Sequence, residues 1–390
     1  MADQYRGDAL GCIGKEPVKT PCLDNLASEG VLFTNAISSY PVSSPARAML
    51  MTGMYPPHKQ SYKVTCNSQT APYGVELPQE VRCWSDVLKD MNYHTGYIGK
   101  WHLDSPYKPY VDTYNNRGKI AWNEWCPPER RHGFEHWIAY GTYDYHLKPM
   151  YWNTTAPRDS FYYVNQWGPA YEADRAIEYI EAQKADDHPF ALVVSMNPPH
   201  TGYELVPDNY KAIYKDMDVE ALCNNRPDIP AKGTEMGDYF RNNIRNYYAC
   251  ITGVDENVGR IINALKANDL FENTIVVFTS DHGICMGAHN QPGKDIFYEE
   301  SMRIPMIISW PEKIKPRKDK QLMIAFADLY PSLLSMMGFQ KEIPETVQTF
   351  DLSQEILGKL QKISYNLIIL YSMTTTLPVI VGYVLPDILL

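Results

Sequence analysis

Short β-branched runs that alternate with helix-periodic stretches leave this chain few folds to choose from. Phe190 to Ser195, Thr274 to Thr279 and Ile304 to Ser309 predict strands. Among the stretches around them, Ala173, Ala176, Ile177 and Ile180 share one helical face, and Ile244, Tyr248, Ile251, Val258, Ile262 and Leu265 share another. The alternation predicts an α/β fold whose central sheet is largely parallel and flanked by helices. At 390 residues and 44% apolar side chains, the chain can bury the core of one large domain, or of one domain with a small appendage.

Open α/β sheets bind their ligands beyond the carboxyl ends of the strands, so the polar residues there carry the functional reading. Tyr97-Ile98-Gly99 runs into Lys100-Trp101-His102, Val193-Val194-Ser195 leads to Asn197-Pro198-Pro199-His200, and Val277-Phe278-Thr279 ends in Ser280-Asp281-His282-Gly283. These ends bring together cations, imidazoles and a carboxylate. A net charge of -10 argues against a nucleic-acid partner, which wants a dense surplus of Lys and Arg; an anionic substrate would have to be met by a few cations gathered locally.

The densest single motif is Ser43-Ser44-Pro45-Ala46-Arg47, followed by Ala48 to Gly53. Ser44 suits a helix cap, Pro45 a first turn and Gly53 a helix end. A helix starting at Pro45 would aim its amide dipoles at an anion beside residue 43, with Arg47 able to reach the same place. A capped helix alone would account for the five residues, but the other clusters favour a nucleophile beside an anion site.

The segment resembles the signature of formylglycine-dependent sulfatases, of the alkaline phosphatase-like superfamily, in which a Cys or Ser before x-Pro-x-Arg is oxidised to formylglycine. The serine form resembles bacterial glycan sulfatases and implies that Ser43 is the converted residue. The chemistry favours the change: a serine sulfate ester is stable, whereas a hydrated aldehyde has one hydroxyl to attack sulfur and another to expel sulfate. Asp3-Gln4 and Asp281-His282 match the family's metal-binding positions, which implies calcium, or magnesium or manganese in its place. Gly99-Lys100-Trp101-His102 and Pro292 to Ser301 are similar to two further family blocks. By that resemblance Lys100 and Lys294 bind sulfate oxygens, His102 contacts the formylglycine and His200 assists the leaving oxygen. The resemblance spans residues 1 to 350, read as the catalytic domain, and implies a sulfated glycan substrate, a maturation enzyme as partner and a periplasmic or secreted location.

Other stretches say less. Tyr107 to Trp167 is rich in Tyr, Trp and Pro with weak periodicity and predicts an elaborated insertion. Its Trp122, Trp125, Arg130, Arg131, His136, Tyr143, Tyr145, His146 and Trp152 suit either a carbohydrate wall or, more readily for the tryptophans, a satellite core. The eight cysteines are scattered without metal-site spacing, and the apolar run from Leu377 to Leu390 is too short and too interrupted to span a membrane. No secretory signal precedes the first motif. Only Met1-Ala2 stand before Asp3 where family members carry a buried apolar strand, so a truncated first strand is expected. Residues 351–390 are expected to be the remnant of a C-terminal subdomain read in a shifted frame, because Ile380 to Leu390 is compatible in another frame with a peptide like the family's C-terminal block. Two other readings stay open: a phosphodiesterase or phosphonate monoester hydrolase of the same superfamily, and an inactive glycan-binding fragment.

Overall fold

The computed structural model describes residues 1–56, 64–184, 186–359, 367–370 and 381–384. The first part of the chain forms α1 (Pro21–Glu29), β1 (Val31–Ile37), α2 (Ser43–Thr52), α3 (Trp84–Asp90) and β2 (His94–Lys100). Strands β3 (His136–Tyr140), β4 (Met150–Asn153) and β5 (Tyr162–Tyr163) precede α4 (Gly168–Gln183) and β6 (Phe190–Ser195). Then come α5 (Asp208–Tyr214), α6 (Val219–Asn224), the long α7 (Glu235–Ala267) and β7 (Val276–Thr279). The chain continues through α8 (Glu299–Met302), β8 (Met306–Ser309), β9 (Arg317–Ala325), α9 (Leu329–Met336), α10 (Ser353–Ile356) and the antiparallel pair β10 (Leu367–Leu370) and β11 (Val381–Val384). Residues 360–366, 371–380 and 385–390, including most of the apolar run from Leu377, lie outside the described residues.

The fold is α/β as expected, but the sheets are mixed. One sheet has the order β5-β4-β3-β2-β6 and the other β7-β8-β1-β9. β2 is parallel to both β3 and β6, and β1 is parallel to β9; β4, β5 and β8 run antiparallel to their neighbours. Residues 141–149 are too short a link for a parallel crossover, which needs a dozen or more residues, so β4 must turn back on β3. The stretch read as an insertion thus supplies three strands. Its rings mostly pack inward: Tyr140, Tyr143, Tyr151 and Trp152 are buried in one cluster.

Met1 and Ala2 join the two sheets. The Met1 nitrogen donates to Val194 O at 2.7 Å and Met1 O accepts from Met196 N at 2.9 Å; on the other side Ala2 N donates to Thr279 O at 3.0 Å. Ala2 pairs in parallel with Ser280. Further back along this seam Leu192, Val193, Val276 and Val277 are only half-buried. The result is a row of parallel strand ends, β2, β6, Ala2 and β7, opening on one edge.

Helix α7 lines the main core through Ile244, Tyr248, Ile251, Ile262 and Leu265, with Val258 packed at its margin, and α4 adds Ala173 and Ile180. The periodic faces read from the sequence are the buried ones, because a 3.6-residue repeat places them on one stripe. Gly99 has φ +100°, and a Cβ there would collide with Ser195 O, so only glycine lets β2 lie this close to β6 at its functional end.

Beneath that end, α4 buries Glu172, whose Oε1 accepts from Tyr140 Oη at 3.3 Å and Tyr151 Oη at 3.1 Å. Burial, only partly offset by these two hydroxyls, pushes its carboxyl up to about 8 from an ordinary value of 4.5. The folded state therefore holds this proton more tightly than the unfolded state. The stability this proton contributes is greatest below pH 4.5 and is lost as pH rises towards 8. Glu172→Gln keeps the shared acceptor oxygen and has no proton to lose. It should gain on the order of 3 kcal/mol over wild type between pH 5 and 8, as measured by urea unfolding at the two pH values; equal gaps would refute the assignment.

Candidate active site

Helix α2 begins at Ser43, because Val42 is extended and Pro45 needs no amide partner in a first turn; it ends at Gly53, whose φ of +65° lets its amide close on Met49 O. The expected capping role of Ser44 is not what the structure shows. Its Oγ instead accepts from Cys66 N at 3.1 Å, tying the loop after the helix back to its start. Ser43 is left in the first turn, buried, with its Oγ 3.0 Å from His282 Nε2, 3.3 Å from Asp3 Oδ2 and 3.4 Å from Lys294 Nζ.

Arg47 lies one turn further along α2 and is buried. It was expected to reach an anion beside residue 43, but its nitrogens are engaged elsewhere. Nε donates to Asp281 Oδ2 and Nη2 to Asp3 Oδ2, both at 3.1 Å, while Nη1 donates to Lys100 O and Ser195 Oγ, both at 2.8 Å. A planar fork with five donors is suited to this task. Arg47 thus pins α2 to the ends of β2 and β6 and to both carboxylates.

Lys100 closes β2 with its ammonium 2.7 Å from Asp3 Oδ2 and 3.0 Å from Asn197 Oδ1. Lys294 approaches from the loop between β7 and α8, 3.2 Å from His282 Nε2. Burial would push the Asp3 carboxyl up, but Lys100, His200, Lys294 and Arg47 hold it well below the usual carboxylate range. Burial and the charge of Asp3 push Asp281 up, to about 6. Burial, reinforced by Lys294, holds His282 neutral. Three cationic side chains, Arg47, Lys100 and Lys294, face two carboxylates in a largely buried site, so an incoming anion is favoured.

The donor set fits a divalent ion. Asp3, Asp281 and His282 each offer one ligand atom, all within 4.8 Å of one another. Asp3 Oδ1 and Gln4 Oε1 are buried and have no hydrogen-bond partner among the described residues. Orphaned buried oxygens are costly unless something satisfies them, and two carboxylates and an amide oxygen suit a hard cation. Gln4 is held at φ +62°, with Tyr247 Oη donating to its carbonyl at 2.8 Å.

The two remaining histidines are placed differently from one another. His102, at φ +56°, meets Cys66 O at 3.1 Å through Nε2, while its buried Nδ1 has no hydrogen-bond partner among the described residues. Its ring thus meets the loop that Ser44 holds, through Cys66 O. His200 Nδ1 lies 3.1 Å from Asp144 Oδ1 and 3.2 Å from Thr201 Oγ1. Burial and Lys100 lower the His200 pKa, and Asp144 works against them.

Asp144 and Asn197 were missed in the sequence. Asn197 Nδ2 donates to Asp144 Oδ1 at 3.0 Å while its Oδ1 holds Lys100, and Asn115 Nδ2 donates to Asp144 Oδ2 at 2.7 Å. The position of Asn197 directly after β6 was a usable signal. Asp144, among aromatic residues in an irregular loop, gave none. Of the aromatic-stretch candidates, Tyr143 accepts from Asn197 Nδ2 through its carbonyl at 2.9 Å, His146 Nε2 lies 3.3 Å from Thr201 O, and the Trp122 ring is 6.5 Å from that of His102.

A family model described as Sulfatase matches residues 1–339. An endo-4-O-sulfatase of Bacteroides thetaiotaomicron is 36% identical over 372 residues, which cover 89% of this chain and 70% of the relative. An ulvan-active sulfatase of Formosa agariphila is 36% identical over 363 residues, covering 91% of this chain and 64% of that protein. A Bacteroides fragilis protein solved under the name sulfatase yidJ superposes with a TM-score of 0.93 at 81% identity, over 96% of this chain and 80% of that one. A Bacteroides thetaiotaomicron structure from a locus for metabolism of multiple glycosaminoglycans gives 0.86 at 33% identity, over 95% and 78%. With its alkaline phosphatase-like α/β architecture and the whole strand-end site inside the matched residues, the chain belongs to the sulfatase family.

Proposed function

We propose that the chain hydrolyses sulfate esters on sulfated carbohydrates, with Ser43 converted to formylglycine and a divalent metal, calcium first among candidates, held by Asp3, Gln4, Asp281 and His282. The observation that carries this reading is the convergence of His282, Asp3 and Lys294 on the Ser43 oxygen within 3.4 Å. One relative is named for a 4-O-sulfate and an endo mode of action and the other for activity on ulvan, which supports a sulfated glycan here.

The residues divide the work. Lys100 and Lys294 hold sulfate oxygens and stabilise the charge that grows on the sulfuryl group, the kind of fixed electrostatic help that contributes most in a dry site. Arg47 spends its hydrogen bonds on keeping both carboxylates and the nucleophile helix in register. His200 delivers a proton to the departing sugar oxygen; the sulfate anion offsets Lys100 and so favours the protonated imidazole. The metal would polarise a sulfate oxygen and the nucleophile, and the aldehyde hydrate would supply both the attacking and the expelling hydroxyl.

The test is the mass of the peptide containing Ser43 after expression with a serine-type maturation system. Loss of two hydrogens at Ser43, with release of sulfate from an aryl sulfate, is expected. An unmodified Ser43, or faster turnover of an aryl phosphonate than of the sulfate, would overturn the reading.

A further inference from the structure

A second group of metal-ligand side chains sits at the far end of the sheet, where β2 and β6 begin. His94 opens β2 and lies in parallel register with Phe190, the first residue of β6. The turn just before β6 carries Asp186 and His188. Asp186 Oδ1 is 2.7 Å from His188 Nδ1 and accepts from His188 N at 2.9 Å, while Oδ2 is 3.0 Å from His94 Nε2. The two imidazole rings face each other at 5.2 Å between centroids and 70°.

We propose that His94, Asp186 and His188 form a zinc-class metal site separate from the catalytic centre. One ligand atom from each lies within 4.8 Å of the others. Tetrahedral coordination at ordinary zinc bond lengths sets its ligands about 3.3 Å apart, close to the imidazole-carboxylate distances already present. A divalent ion can therefore replace the shared protons with small side-chain shifts and no backbone rearrangement. Two imidazoles and one carboxylate suit zinc over calcium or magnesium, and leave one position for water.

A second observation points the same way. Glu135 Oε2 lies 3.9 Å from His94 Nδ1, on the side of the ring away from Asp186. A carboxylate behind a ligating imidazole fixes its tautomer and raises its basicity, the usual outer support of a metal-bound histidine. All three ligands are accessible, with side chains 41%, 37% and 48% exposed for His94, Asp186 and His188. The ion would clamp the turn before β6 to the start of β2.

The experiment uses the full chain saturated with calcium, so that the catalytic ligands are occupied. Protein is equilibrated with zinc chloride and passed through a desalting column, and bound zinc is counted by elemental mass spectrometry. Wild type should retain one zinc per chain more than the His94→Gln/His188→Gln double variant. At a hundredfold excess over the dissociation constant, zinc should raise the wild-type melting temperature by about 3 °C and leave that of the variant unchanged. Aryl sulfate turnover without zinc should be the same in both, which checks that the exposed substitutions leave the fold intact. Equal zinc content, or an equal melting shift in the two proteins, would overturn the proposal.

Discussion

Ser43→Ala should lower sulfate ester turnover by a factor of about 10^4 or more while leaving the protein folded. The side chain removed is small, and alanine is the most favourable residue for the first turn of α2. What is lost is the one oxygen on which His282, Asp3 and Lys294 converge. Those partners retain each other and the groups around them, so the melting temperature should change by a few degrees at most while the rate collapses. Steady-state kinetics on an aryl sulfate beside a melting curve would check this. A variant retaining a tenth of wild-type activity would remove residue 43 from the reaction.

His200→Ala should show a loss that depends on the leaving group. A sugar alkoxide is a poor leaving group without a proton, so kcat/KM on a sulfated oligosaccharide should fall by about 10²–10⁴. A nitrophenolate leaves readily unprotonated, so the same variant should lose far less on nitrophenyl sulfate. Asp144→Asn gives a finer test. Asp144 raises the His200 pKa, so its removal lowers that pKa, and the alkaline limb of the pH-rate profile on a sugar sulfate should move to lower pH. Equal losses on both substrates would mean that His200 binds the sulfate group and is not the proton donor.

The parts of the site legible in the sequence were those written contiguously. Ser43 and Arg47 are four apart on one helix, Asp281 and His282 are neighbours after a strand, and Phe190–Ser195 has the boundaries its β-branched run implied. What Arg47 does was not legible, since its partners Asp3, Lys100, Ser195 and Asp281 are scattered through the chain and meet only when the sheets come together. The strands inside 107–167 were hidden for a packing reason. Met150, Tyr151 and Trp152 are buried in succession, and in β3 apolar Ile138 occupies the half-buried face between buried Trp137 and Ala139, so neither strand shows the apolar-polar alternation that marks a half-exposed strand. Antiparallel β8 was missed in direction because a strand's residues do not record which way it runs relative to its neighbour.

The line along which the two sheets meet divides the site. Lys100, His102, Asn197 and His200 hang from the strands on one side of it, and Ser43, Arg47, Asp281, His282 and Lys294 from elements on the other. A state in which the two sheets are formed but not docked would hold either Ser43 or His200 in place, never the two together. Turnover is then an all-or-none reporter of the last docking step: in refolding it should return after circular dichroism has recovered, and mild denaturant should abolish it before helical signal is lost.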